Sequence, residues 1–98
     1  MVDLDAMCAR TFPVRLHGRE LDVLIPTAGT VRRILALSDC PDGELVDRQL
    51  RLAAEILARN EQGIPVGREA LEALPPSALG AVIAQAASLA AGAASVPD

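Results

Sequence analysis

Few residues in this chain of 98 amino acids are equipped for chemistry: one imidazole (His17), two thiols (Cys8 and Cys40) and two closely spaced acid pairs, Glu69 with Glu72 and Asp39 with Asp42. Any Ser-His or Cys-His nucleophile has to use His17, because a base must lie within hydrogen-bond reach of the group it deprotonates. His17 precedes Gly18 at the centre of a hairpin pattern, and none of Ser38, Ser77, Ser88 or Ser95 has a nucleophile-elbow context. A turn residue is the simpler role. Acid pairs serve catalysis when an apolar pocket raises one pKa, and neither pair has such surroundings, so they read as a solvated helix face and a helix cap. Cys8 and Cys40 lack the paired spacing of a zinc site and read as reduced thiols of a cytoplasmic protein. Gly18 and Gly29 stand alone, so no glycine-rich phosphate loop is present. The chain is expected to be no enzyme, with no catalytic residue, metal or cofactor.

Binding to nucleic acid is disfavoured as well. All nine basic residues are Arg, the net charge is −4, and the chain has a single Phe with no Tyr or Trp on which bases could stack. Arg10, Arg15, Arg19, Arg32 and Arg33 therefore read as solvated side chains. Ala and Leu fill a third of the sequence, which favours helices. The length suits one domain over residues 1–98: a polar arm at 1–9, a β-hairpin at 10–26, a helical part at 27–91 and a frayed tail at 92–98. Met1 to Cys8 contains Asp3 and Asp5 without an apolar run, so it reads as neither a secretory nor a lipoprotein signal.

Two runs alternate with period two. Phe12, Val14 and Leu16 alternate with Pro13, Arg15 and His17, and Leu21, Val23 and Ile25 alternate with Glu20, Asp22 and Leu24. A two-residue turn at His17-Gly18 pairs Val14 with Leu21 and Phe12 with Val23 on one face, and Arg15 with Glu20 on the other. Thr27 can cap a helix ending near Ser38, with Val31, Ile34 and Leu35 as its apolar positions. A second helix follows from Glu44 to Asn60, capped by Asp39 or Asp42, with Val46, Leu50, Ala53 and Leu57 as its stripe. Its surface carries the opposite-charge pairs Glu44/Arg48, Arg51/Glu55 and Glu55/Arg59. Arg68 to Leu74 forms a short helix, and a last helix runs from Pro76 or Ser77 to about Ala91. The fold class is α+β: an N-terminal β-hairpin followed by three or four helices.

The last helix is the anomaly. No charge occurs between Glu72 and Asp98. Leu79, Val82, Ile83, Ala86 and Ala90 supply one apolar face, while Gly80, Ala84, Ser88 and Gly92 recur every fourth residue as a small-residue stripe that permits close helix approach. A membrane span is not expected, because the run is weakly apolar and is interrupted by Pro75, Pro76, Gln85 and Ser88. Protein contact is expected through Leu79, Gly80, Val82, Ile83, Ala84 and Ser88.

The order of a hairpin, a short helix, a charged amphipathic helix and an Ala/Leu-rich closing helix resembles the tail assembly chaperones of long-tailed bacteriophages and prophages. Phe12-Pro13-Val14-Arg15-Leu16-His17-Gly18-Arg19-Glu20-Leu21-Asp22-Val23 looks like the hairpin that opens many of them. Leu71-Glu72-Ala73-Leu74-Pro75-Pro76-Ser77-Ala78-Leu79 looks like their approach to the closing helix. The resemblance covers residues 10–91. It implies a non-enzymatic chaperone that binds the long apolar tape-measure protein in the bacterial cytoplasm while tail-tube subunits assemble. It also implies self-association, and in many members a frameshifted, extended form. The competing reading is a small self-associating bacterial adaptor or regulatory domain. Gene neighbourhood separates the two.

Overall fold

The computed structural model describes Asp3 and residues 10–95, the last four of these by backbone alone. Most of the expected arm, including Cys8, and residues 96–98 of the expected tail lie outside the described residues. The architecture is α+β, an antiparallel two-stranded hairpin followed by four helices. Strand β1 spans Thr11–Leu16 and β2 spans Arg19–Leu24, in the register Phe12 opposite Val23, Val14 opposite Leu21 and Arg15 opposite Glu20. The turn residues His17 and Gly18 have φ of 51° and 81°, the positive pair that a type I′ turn requires and that matches the twist of the strands. Phe12, Leu21 and Val23 are buried and Pro13 is exposed, so the alternation in the sequence is the alternation of the faces.

A two-stranded ribbon is marginal by itself. Here a third line of backbone supports it. Arg59 carbonyl accepts from Leu24 N–H at 2.8 Å, Glu61 N–H donates to Asp22 carbonyl at 3.0 Å, and Val23 bridges Asn60. Gln62 closes the edge, accepting from Asp22 N–H at 2.9 Å and donating to Asp22 Oδ2 at 2.8 Å.

Helix α1 runs over Ala28–Leu35, with Thr27 Oγ1 accepting from Thr30 N–H at 3.3 Å as its cap, and tightens into a 3₁₀ turn at Ala36–Asp39. Helix α2 spans Asp42–Ala58. Neither expected aspartate caps it by its side chain: Pro41 holds the cap position, and Asp42 and Glu44 lie in the first turn, where their charge meets the positive end of the helix dipole. The buried face of α2 also differs from expectation. Leu52, Ala53, Ile56 and Leu57, all in the C-terminal half, are buried, Leu50 is partly buried, and Val46 is exposed. The side-chain ion pairs are redistributed. Glu44 pairs with Arg48 at 3.6 Å as expected, but Arg51 turns back to Asp47 at 3.5 Å, and Glu55 leaves its helix for Arg33 on α1 at 2.6 Å. Asp47 also receives Arg68.

Helix α3 is one turn, Arg68–Leu71, shorter than expected because Leu74 precedes Pro75 in a non-helical turn. Helix α4 spans Pro76–Ser95 and so continues beyond the expected end at Ala91. Its main partner is α2, and it also touches α1. The core joins Phe12, Leu21 and Val23 of the hairpin to Leu52 and Ile56 of α2, Leu71 of α3, and Leu79, Ile83 and Ala86 of α4. The molecule measures 45 × 32 × 16 Å. A thickness of 16 Å holds about two layers of packed elements at the usual 8–10 Å spacing, so a helix in either layer is covered on one side.

Candidate functional site

The candidate chemical groups are placed as structural elements. His17 Nε2 donates to Ala70 carbonyl at 2.7 Å, because a carbonyl only accepts, and this ties the hairpin tip to α3. Cys40 Sγ donates to Pro41 carbonyl at 3.4 Å. Glu69, Glu72, Asp39 and Asp42 are exposed. Among the described residues, no group of three or more His, Cys, Asp or Glu side chains is arranged to hold a metal ion.

One polar cluster is well connected. Thr30, buried on α1, donates from Oγ1 to Glu55 Oε2 at 3.0 Å, and Arg33 donates to the same oxygen at 2.6 Å. The hydrogen bond from Arg33 holds the Glu55 carboxyl below its ordinary value, against the opposing effect of partial burial. This cluster pins α1 to α2. It borders a groove of about 370 Å³ whose charged lining, Arg33, Arg48 and Arg51 with Glu44, Asp47 and Glu55, is paired within itself.

Helix α4 presents a different kind of surface. Of the six residues expected to make protein contacts, Leu79 and Ile83 are buried in the chain's own core, and Val82 packs partly against it. Gly80 is half-buried beside α2, with the Gln49 amide nitrogen 3.8 Å from where a Cβ would stand. Ala84 and Ser88 are exposed. They share a face with Ala81 and Gln85, at spacings i, i+3, i+4 and i+7, so the accessible stripe is Ala81, Ala84, Gln85 and Ser88. Gly92, the last member of the small-residue repeat, falls where only backbone is described. Leu89, 38% exposed, flanks the stripe.

Beside it lies a surface that the sequence pattern hid. Val31, Ile34 and Leu35 have the spacing of one core-facing stripe, but Ile34 packs on the core while Leu35 is 68% exposed. The reason is the Arg33–Glu55 and Thr30–Glu55 contacts, which fix the rotation of α1 against α2 and turn Leu35 outward. Leu35, Val31, Ala28 and Pro26 then form one wall of an open groove of about 440 Å³, and Ala90 and Ala91 of α4 form the other. Among the described residues, Arg32 is its single charged lining residue. The signal in the sequence was the absence of any acid on α1 and α4.

Among the described residues, no helix is long and apolar enough to cross a membrane. No family model matches the chain, and neither a curated protein nor a solved structure matches it.

Proposed function

We propose that this chain is a non-enzymatic protein-binding protein, a tail assembly chaperone of a bacteriophage or prophage that holds the tape-measure protein in the bacterial cytoplasm until tail-tube subunits surround it. The observation that carries the reading is the state of α4, which buries Leu79, Ile83 and Ala86 on one side and leaves an uncharged stripe of Ala81, Ala84, Gln85 and Ser88 open on the other. An uncharged helix face in water is suited to being covered by another helix, whose aliphatic anchors need few charges to dock. The small side chains at Ala84 and Ser88 allow that helix to approach closely. The same face serves self-association, and the layout of hairpin and helices agrees with the family resemblance over residues 10–91.

Co-expression tests it. A gene for a very long helical tape-measure protein is expected directly downstream, and the product of that gene is expected to gain soluble yield and to co-elute with this chain on gel filtration. A neighbourhood without tail genes, or a tape-measure protein equally soluble alone, refutes the chaperone and leaves a self-associating adaptor that uses the same face.

A further inference from the structure

The groove between α1 and α4 is open, apolar along both walls and cationic at one point. Ala28, Val31, Arg32 and Leu35 occupy positions i, i+3, i+4 and i+7 of α1, so they form one continuous face, and Ala90 and Ala91 oppose them. Arg32 has no ion pair among the described residues, whereas its neighbour Arg33 is held by Glu55. Among the described residues, no carboxylate lines the groove. We propose that this groove docks an amphipathic helix of another protein, whose aliphatic side chains enter beside Leu35 and whose carboxylate pairs with Arg32. This rests on the reading of the chain as a protein binder and names the chemistry of the bound segment.

Charge decides between occupants. A two-fold contact between copies through this face brings each Arg32 against apolar residues, with no acid among the described lining residues to meet it. The outer stripe of a second copy's α4 brings Ala81, Ala84, Gln85 and Ser88, which carry no charge either. In both arrangements a guanidinium loses water without gaining a partner. A foreign helix with a carboxylate next to its anchors supplies what the groove lacks. The eight residues of α1 extend about 12 Å, which matches about two turns of a guest helix and two or three anchors.

The test uses the full chain and two fluorescent designed helical peptides with Leu at i, i+4 and i+7, one flanked by Glu and its twin by Lys. Fluorescence anisotropy is expected to show the Glu peptide bound about tenfold more tightly than the Lys peptide. Arg32→Glu is expected to reverse that preference, and Leu35→Asp to abolish binding of both. Arg32 and Leu35 are exposed, so circular dichroism should be unchanged in both variants. Equal binding of the two peptides, a preference that survives Arg32→Glu, or no binding overturns the proposal. So does a wild-type dimer in sedimentation equilibrium that Leu35→Asp dissociates, since a second copy is then the occupant. If the tape-measure protein is still solubilised by Arg32→Glu and Leu35→Asp, the groove assignment fails while the chaperone stands. If the peptides behave as expected and the tape-measure protein gains nothing, the chaperone fails and the groove stands.

Discussion

Asn60 and Ile64 are joined by two hydrogen bonds: Ile64 N–H donates to Asn60 Oδ1 at 2.9 Å, and Asn60 Nδ2 donates back to Ile64 carbonyl at 2.8 Å. The same Nδ2 also donates to Leu57 carbonyl at 2.8 Å. One buried amide thus closes the end of α2, shapes the turn through Gly63 and sets residues 59–61 beside β2. Asn60→Ala leaves a backbone donor and two acceptors to find other partners, so it is expected to cost about 2–4 kcal/mol. Urea unfolding should show a lowered midpoint with an unchanged slope. A loss below about 0.5 kcal/mol would mean that water replaces the amide.

His17 combines a positive φ with a hydrogen bond to Ala70 carbonyl, and two substitutions separate these roles. His17→Asn tolerates the left-handed backbone and loses the hydrogen bond, so it should cost less than about 1 kcal/mol at this exposed site. His17→Val also forces a β-branched side chain into that backbone and should cost about 1–2 kcal/mol more. Thermal melts that rank the two the other way would contradict the turn assignment. Under the proposed function, neither variant should change the soluble yield of a co-expressed tape-measure protein.

Glu55 gives a pH dependence with a definite sign. Its folded pKa lies below the ordinary value of 4.5, chiefly through the Arg33 hydrogen bond, so its contribution is present at neutral pH and fades as pH falls through the lowered folded value. Wild type should exceed Glu55→Gln in stability by less than about 1 kcal/mol at neutral pH, because the pair is partly exposed. Urea midpoints of the two proteins should converge as the pH falls below the ordinary carboxylate value and through the lowered folded one. A gap that stays constant, or widens in acid, would contradict the pairing.

The sequence carried the hairpin register down to the Arg15 and Glu20 pair, because period two leaves few alternatives once the turn is placed. It also carried the order of the helices and the Leu79, Ile83 and Ala86 face of α4. The rotation of short helices was not legible. An eight-residue helix offers too few positions to distinguish Leu35 outside from Leu35 inside, and the deciding contacts run from Thr30 and Arg33 to Glu55, 25 and 22 residues away in the chain. Local i, i+4 charge spacing misassigned Glu55 for the same reason, since its tertiary partner Arg33 competes with its helical neighbours, and it left open which of its two i, i+4 acids Arg51 would take, Asp47 or Glu55. The role of Asn60 was hidden because its hydrogen-bond partners are backbone groups, which any sequence provides.

Ile83 and Ala84 are adjacent on α4 and should respond oppositely. Ile83 is 4% exposed, so Ile83→Asp places a charge in the core and should unfold a domain of this size, erasing its circular dichroism. Ala84 is exposed, so Ala84→Leu should shift stability by no more than about 0.5 kcal/mol. Its added bulk should nevertheless weaken association along the stripe, read by sedimentation velocity. Unfolding by Ala84→Leu would mean that the stripe is covered within the chain.

The most direct measurement of the proposed function is gel filtration of the tape-measure protein co-expressed with wild type or with the Ala84→Asp/Ser88→Asp double variant, after melts establish that the two forms of this chain are equally stable. Wild type is expected to co-elute with the tape-measure protein in one peak, and the double variant to elute alone while the tape-measure protein is lost to the pellet. Co-elution that survives both aspartates, or a tape-measure protein that stays soluble with neither chain present, would contradict a chaperone acting through the outer face of α4.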